Sequence, residues 1–309
     1  MPDDGFNIFL RFALYLDLMI LFGVSLFGIY ALRRDDRSSG IARQYVNVIA
    51  ATTVLGLVVS AISIVVTAKA MTGAADYSEL SAHVFGMLLT GTGVGLAWTA
   101  RMGALAVCLA AVALLRRRSE MPFAVPAAAG AVALASLAWA GHGAMDDGAK
   151  GYMHIASDAV HLIAAGAWIG ALAAFVLLAF TRRVSRAHAV QTLSHTSNGF
   201  ARVGTLIVAA LLVTGTINYV LILGPTVQGL VATAYGWLLT GKLVLFVSML
   251  GLAAANRYFL SPRLESAVSA GNHDAAVRLL RRSLTTETTL AVIILALVAW
   301  LGVLSPMPM

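Results

Sequence analysis

Three of the seven histidines of this 309-residue chain fall within twenty residues, in the stretch WAGHGAMDDGAKGYMHIASDAVHLIAAGAWIG from Trp139 to Gly170. Beside His142, His154 and His161 the stretch carries Met145, Asp146, Asp147, Met153 and Asp158. Neutral imidazole is the commonest protein metal ligand, thioether sulfur favours Cu(I), and carboxylate accompanies imidazole on Cu(II), so the mixture points first to a copper ion. On a helix, His154, Asp158 and His161 stand at i, i+4 and i+7 and share one face. His142 and Met145, at i and i+3, belong to the end of the preceding apolar segment. A carboxylate one turn before His161 can orient its ring, the arrangement common around metal-bound imidazole. Two other readings stand beside copper. Histidines on neighbouring helices suit the axial positions of haem b, and His142 with His161, or either with His83, offers such a pair. Purely structural histidines in a non-catalytic scaffold are the third.

The elements that must position these residues are membrane helices. The chain is 60% hydrophobic and 11% charged, with a mean hydropathy of +0.86, far outside soluble globular usage. Apolar runs of bilayer-crossing length recur throughout, which predicts an all-α polytopic bundle and a single integral-membrane domain over residues 1–309. Eight spans are expected, at about 8–32, 44–68, 94–115, 123–143, 155–181, 203–224, 236–259 and 285–304. The first run follows Pro2-Asp3-Asp4 without a basic leader or a small-residue cleavage motif and reads as a retained helix. The lone cysteine, Cys108, sits mid-span and supports neither a disulfide framework nor a CxxC site.

The formal charge of +7 is a topology signal rather than a nucleic-acid surface. Sixteen of the 21 Lys and Arg follow the first, third, fifth and seventh spans, in clusters such as Arg116 to Arg118. The positive-inside rule then places both termini, and the His/Met/Asp stretch, outside the cytoplasm, facing the periplasm or exterior. The Ala70 to Gly93 link, with His83, is expected along the membrane surface. His188, His195 and Asn198, and Glu265, His273 and Asp274, are expected on solvated cytoplasmic faces in contact with lipid headgroups. A short repeat sets TGTGVGLAWTAR against TAYGWLLTGK when Thr92 is aligned with Thr233, so that Arg101 matches Lys242.

Ionisable side chains inside spans cost about 2.5–3.5 kcal/mol each and need partners or water. Asp17, Arg101, Asp158, His161 and Lys242 map to the outer half of the bilayer, where two acids and two fixed cations at similar depth suggest a structural ion-pair network of Asp17, Asp158, Arg101 and Lys242. Glu287 maps to the cytoplasmic start of the last span, as a partner of the helix dipole or a step on an exit path. Met249, Trp98, Trp237 and Trp300 are expected as packing or interfacial residues. No glycine-rich phosphate loop, Ser-His-Asp order or HExxH occurs, so no enzymatic chemistry is expected.

Several of these segments together resemble the bacterial copper resistance D (CopD) family of inner-membrane proteins. They are Gly141-His142, DAVHLIAAGAWIG (Asp158 to Gly170), VTGTINY (Val213 to Tyr219), YGWLLTGKLVLF (Tyr235 to Phe246), AANRYFL (Ala254 to Leu260) and the Glu287 helix ending LGVLSP. The match runs from about Gly91 to Pro306, more loosely over the first two spans. The resemblance implies a protein that accepts copper at the cytoplasmic membrane or moves it across, often beside a small periplasmic copper-binding protein of the resistance C type. It carries His142 and His161 over as site positions, with Asp158 beside the latter; Met145, Met153 and His154 are added on their chemistry alone. The resistance C partner is expected as a separate chain.

Overall fold

A computed structural model describes residues 2–37, 39–115, 123–141, 148–181, 186–263, 266 and 273–305. Every regular element among them is helical. The order is α1 (Pro2–Tyr30), α2 (Arg34–Arg37), α3 (Gly40–Thr72), α4 (Ala82–Gly91), α5 (Gly93–Leu115), α6 (Ala124–Ala135), α7 (Gly148–Ala179), α8 (Arg186–Leu223), α9 (Gly229–Ala232), α10 (Ala234–Ala255) and α11 (His273–Leu301). A 3-10 turn, Ser136–Ala140, prolongs α6, and a π-helical turn, Asn256–Leu260, prolongs α10. Among the described residues seven helices are long and apolar enough to cross a membrane. The eighth expected span, at 123–143, is the shorter apolar unit Ala124–Ala140. With its 3-10 end it measures roughly 28 Å, close to the hydrocarbon thickness.

Helix ends differ most from the expected limits at the Arg-rich end of the bundle. There α8 begins at Arg186 and α11 at His273, well before their apolar windows, because hydropathy marks the lipid-facing stretch and not where helical hydrogen bonding stops. Basic side chains at this end cap helix C-termini: Arg37 donates to Ile29 O and Leu32 O at the end of α1, and Arg281 to Ala179 O at the end of α7. The expected solvated face of α8 is instead turned inward. Thr192 Oγ1 lies 3.0 Å from Asp36 Oδ1, His188 Nε2 3.3 Å from Oδ1 and His195 Nε2 3.5 Å from Oδ2, around a carboxylate only 3% exposed.

Helix α1 is the hub and packs against α3, α6, α7 and α11. Its buried face, Leu10, Leu14, Leu18, Leu21 and Phe27 among others, belongs to one large apolar core. The closest approach is to α7, where Gly166 and Gly170 form a small-xxx-small pair against Gly23. A Cβ on Gly23 would overlap Gly166 O and Gly170 Cα, so backbone meets backbone there.

The aligned repeat has a structural counterpart. Thr92 caps α5 and Thr233 caps α10, each accepting from the amide three residues on, Gly95 N at 3.0 Å and Gly236 N at 3.1 Å. Each follows a short helix, α4 or α9, whose backbone is so near that a Cβ on Gly95 would meet Leu88 O and one on Gly236 would meet Gly229 O. Nine residues after each threonine stands a cation, Arg101 or Lys242. The link between α3 and α4 turns at Gly73, which takes the left-handed conformation (φ 67°) and donates to Lys69 O. On α4, His83 is exposed while Leu88 packs against Ile64 and Ala68.

Candidate metal centre

Helix α7 presents His154, Asp158 and His161 along one side, as their spacing requires, and α8 supplies what holds two of them in place. His161 Nδ1 lies 2.8 Å from Thr214 Oγ1. The threonine hydroxyl donates its own hydrogen to Ala210 O at 2.6 Å, so its oxygen accepts from Nδ1–H. That fixes the tautomer and leaves Nε2 with the lone pair a metal requires. One turn further along α8, Asn218 Nδ2 donates to Asp158 Oδ1 at 2.6 Å. The other end of that amide, Asn218 Oδ1, is buried without a hydrogen-bond partner, an oxygen acceptor left open beside the carboxylate. Ser157 Oγ donates to Thr214 O at 3.4 Å, a further tie between the helices. Gly215 leaves room for the imidazole, since a Cβ there would stand 3.7 Å from His161 Cε1.

His154 is 1% exposed, with Nε2 4.0 Å from Asp158 Oδ2. Met153, by contrast, is 52% exposed and turned off this face. The preceding segment reaches the carboxylate at Gly141, whose added Cβ would come 3.4 Å from Asp158 Oδ2. His142 and Met145 lie outside the described residues, as do Asp146 and Asp147. Among the described residues no group of three His, Cys, Asp or Glu side chains could hold a metal ion. Asp158 and His161 share one side of α7 with the Asn218 amide, whose open oxygen lies beside the carboxylate.

Lys242 of α10 comes within electrostatic reach of both Asp158 and His161, and Tyr235 of Asp158. Of the expected network, Asp158 and Lys242 attract one another, whereas Asp17 and Arg101 make no direct ion pair. Both Asp17 oxygens are buried without a hydrogen-bond partner, with Oδ2 set against Gly56, and Arg101 has no hydrogen-bond or ion-pair partner among the described residues. Glu287 is partnered, though not by a helix dipole: α11 begins fourteen residues earlier, so the carboxylate is mid-helix. It accepts a short hydrogen bond from Asn256 Nδ2, and Asn256 Oδ1 accepts from Ser283 Oγ at 2.6 Å. Asn256 opens the π-helical turn, a distortion frequent at functional positions.

Residues 1–152 match the model of the copper resistance protein D-like N-terminal domain, and residues 194–301 match that of copper resistance protein D. The chain is 45% identical to copper resistance protein D of Pseudomonas syringae pv. tomato over 304 residues, 98% of each chain. It belongs to the copper resistance D family. It is also 27% identical to inner membrane protein YebZ of Escherichia coli (strain K12) over 302 residues, 96% of this chain and 97% of that one. No solved structure matches it. As a copper resistance D protein, the chain has family motifs whose meeting can be read from the fold. DAVHLIAAGAWIG brings Asp158 and His161 to the Thr214 and Asn218 of VTGTINY, YGWLLTGKLVLF brings Tyr235 and Lys242 near them, and AANRYFL brings Asn256 to Glu287. Thr214 and Asn218 were not among the site residues expected from sequence. Their signals were the VTGTINY segment that contains both and their i, i+4 spacing on an apolar helix, which turns them to one neighbour.

Proposed function

We propose that this protein accepts copper at the periplasmic face of the bacterial inner membrane and carries it across, as a carrier without a catalytic step. Copper is the cargo. The observation that supports this best is the His161 ring, whose Nδ1–H is engaged by Thr214 so that Nε2 is left as a donor, beside a carboxylate held by Asn218. Imidazole nitrogen with carboxylate and amide oxygen suits Cu(II), while the methionines of the adjoining stretch suit Cu(I). His142 follows Gly141, which stands at Asp158, and is proposed as the second imidazole ligand. His154 lines the same face of α7 as a further donor, and Met145 and Met153 are proposed as accessory thioether ligands on their chemistry.

The side of entry rests on the Arg-rich loops, which the positive-inside rule assigns to the cytoplasm together with periplasmic termini. The relative named as an inner membrane protein supports the choice of membrane. A separate periplasmic copper-binding protein of the resistance C type would deliver the ion. Lys242, close to Asp158 and His161, would repel an ion that had lost its ligands and so favour onward movement. The Glu287–Asn256–Ser283 group, toward the Arg-rich end, would receive it on the exit side.

Purified protein tests the site. Copper should bind the wild type, His142→Ala and His161→Ala should each abolish most of that binding, and the optical spectrum should lack a Soret band. Copper affinity equal to wild type in both variants would overturn the assignment, and a Soret band lost on His161→Ala would replace it with haem b.

A further inference from the structure

On the α1/α3/α5 side of the bundle a cavity of about 160 Å³ opens beneath the Thr92 cap. Two guanidiniums line it, Arg11 and Arg101, with the polar side chains of Tyr15, Ser63 and Thr67, and no Asp or Glu is among its lining residues. Arg11 donates to Ala140 O at 3.1 Å and lies within electrostatic reach of Tyr15. Arg101 is only 4% exposed, and its Nε is buried without a partner. A guanidinium removed from water inside a membrane and left unpaired is costly, and the nearby Asp17 does not line the cavity and makes no ion pair with it. The repeat makes the contrast sharper. The cavity holds the place beneath the cap of α5 that the Asp158 and His161 site, with Lys242, holds beneath the cap of α10. One half has acid and imidazole there, the other two fixed cations.

We propose that this cavity binds a phosphate group through Arg11 and Arg101. The planar fork of guanidinium matches phosphate oxygens two at a time, and a Tyr hydroxyl adds a donor. At roughly 30 Å³ per water the volume takes about five waters or their equivalent, room for one tetrahedral oxyanion with a little water left. The same chemistry comes from two sources: the headgroup of an anionic phospholipid reaching in from the outer leaflet, or inorganic phosphate from the aqueous phase. The inference does not depend on copper transport, since none of its residues belongs to the copper site.

The test is thermal unfolding of the full chain in a neutral maltoside detergent. Inorganic phosphate and short-chain phosphatidylglycerol are titrated separately, with chloride at matched ionic strength as the baseline. At least one probe should raise the wild-type Tm saturably by a few degrees above chloride. The rise should vanish in Arg101→Met and shrink in Arg11→Gln. Because Arg101 is uncompensated when no anion is bound, Arg101→Met should fold and have an anion-free Tm no lower than wild type. A response to phosphatidylglycerol alone identifies the lipid source, and a response to inorganic phosphate the soluble one. No response to either beyond chloride, or a rise undiminished in Arg101→Met, overturns the proposal.

Discussion

A single hydroxyl hydrogen decides which nitrogen of His161 keeps its lone pair. Thr214 gives that hydrogen to Ala210 O and accepts from Nδ1, so Thr214→Val, nearly the same shape, should leave the fold intact while freeing the ring to rotate or change tautomer. The expected loss in copper affinity is about 10–100-fold, with Thr214→Ser close to wild type, measured by competition with a chelator of known affinity. Equal affinity in Thr214→Val would mean that the ring is oriented by something else. Asp158→Asn should also cost about 10–100-fold, since it changes charge while the nitrogens stay in place. At this scale the sequence was informative along one helix and silent between helices. The i, i+3 spacing of Asp158 and His161 was enough to place them together on α7. Their partners are more than fifty residues away on α8, and no periodicity encodes which turn of one helix meets which turn of another. The relation of Asp17 to Arg101 was illegible for the same reason: similar depth did not mean a direct ion pair.

Helix α7 holds the site still because its other side is locked to α1. At Gly23, Gly166 and Gly170 there is no side chain to move aside, so a larger residue must push two helices apart. Gly23→Val should lower stability by about 1–3 kcal/mol or more, seen as a drop in detergent Tm and in folded yield. Gly103→Ala, on an exposed face of α5 with nothing within 4 Å of an added Cβ, should leave Tm unchanged or slightly raised. Equal losses in the two would remove the α1/α7 contact from the account. At the other end of the bundle Asn256 satisfies a buried carboxylate, so Asn256→Leu should cost about 1–3 kcal/mol, more than the same change at exposed sites of α10. The spans themselves were legible from hydropathy to within several residues. The helical overhangs of α8 and α11 were not, because their polar residues are compatible with helix and only their contacts, to Asp36 from α8 and to Asn256 and Ala179 from Ser283 and Arg281 of α11, show what they pack on.

For the whole molecule, the account needs an orientation and a direction. The proposed orientation rests on arginine placement, and the proposed inward direction on that orientation. Alkaline phosphatase fused after Met309 should be active and after Arg118 inactive; the reverse would turn the Asp158 and His161 end toward the cytoplasm. The caps of α5 and α10 share one local geometry, a threonine cap after a short, closely packed helix, which the short aligned segments had hinted at. The direct test of inward copper movement is the copper content of separated cytoplasm and periplasm in cells lacking the protein, carrying the wild type, or carrying His161→Ala, all exposed to the same external copper. The account predicts that wild type raises cytoplasmic copper over the deletion strain and that His161→Ala does not. Equal cytoplasmic copper in all three strains, or a rise that His161→Ala preserves, would contradict it.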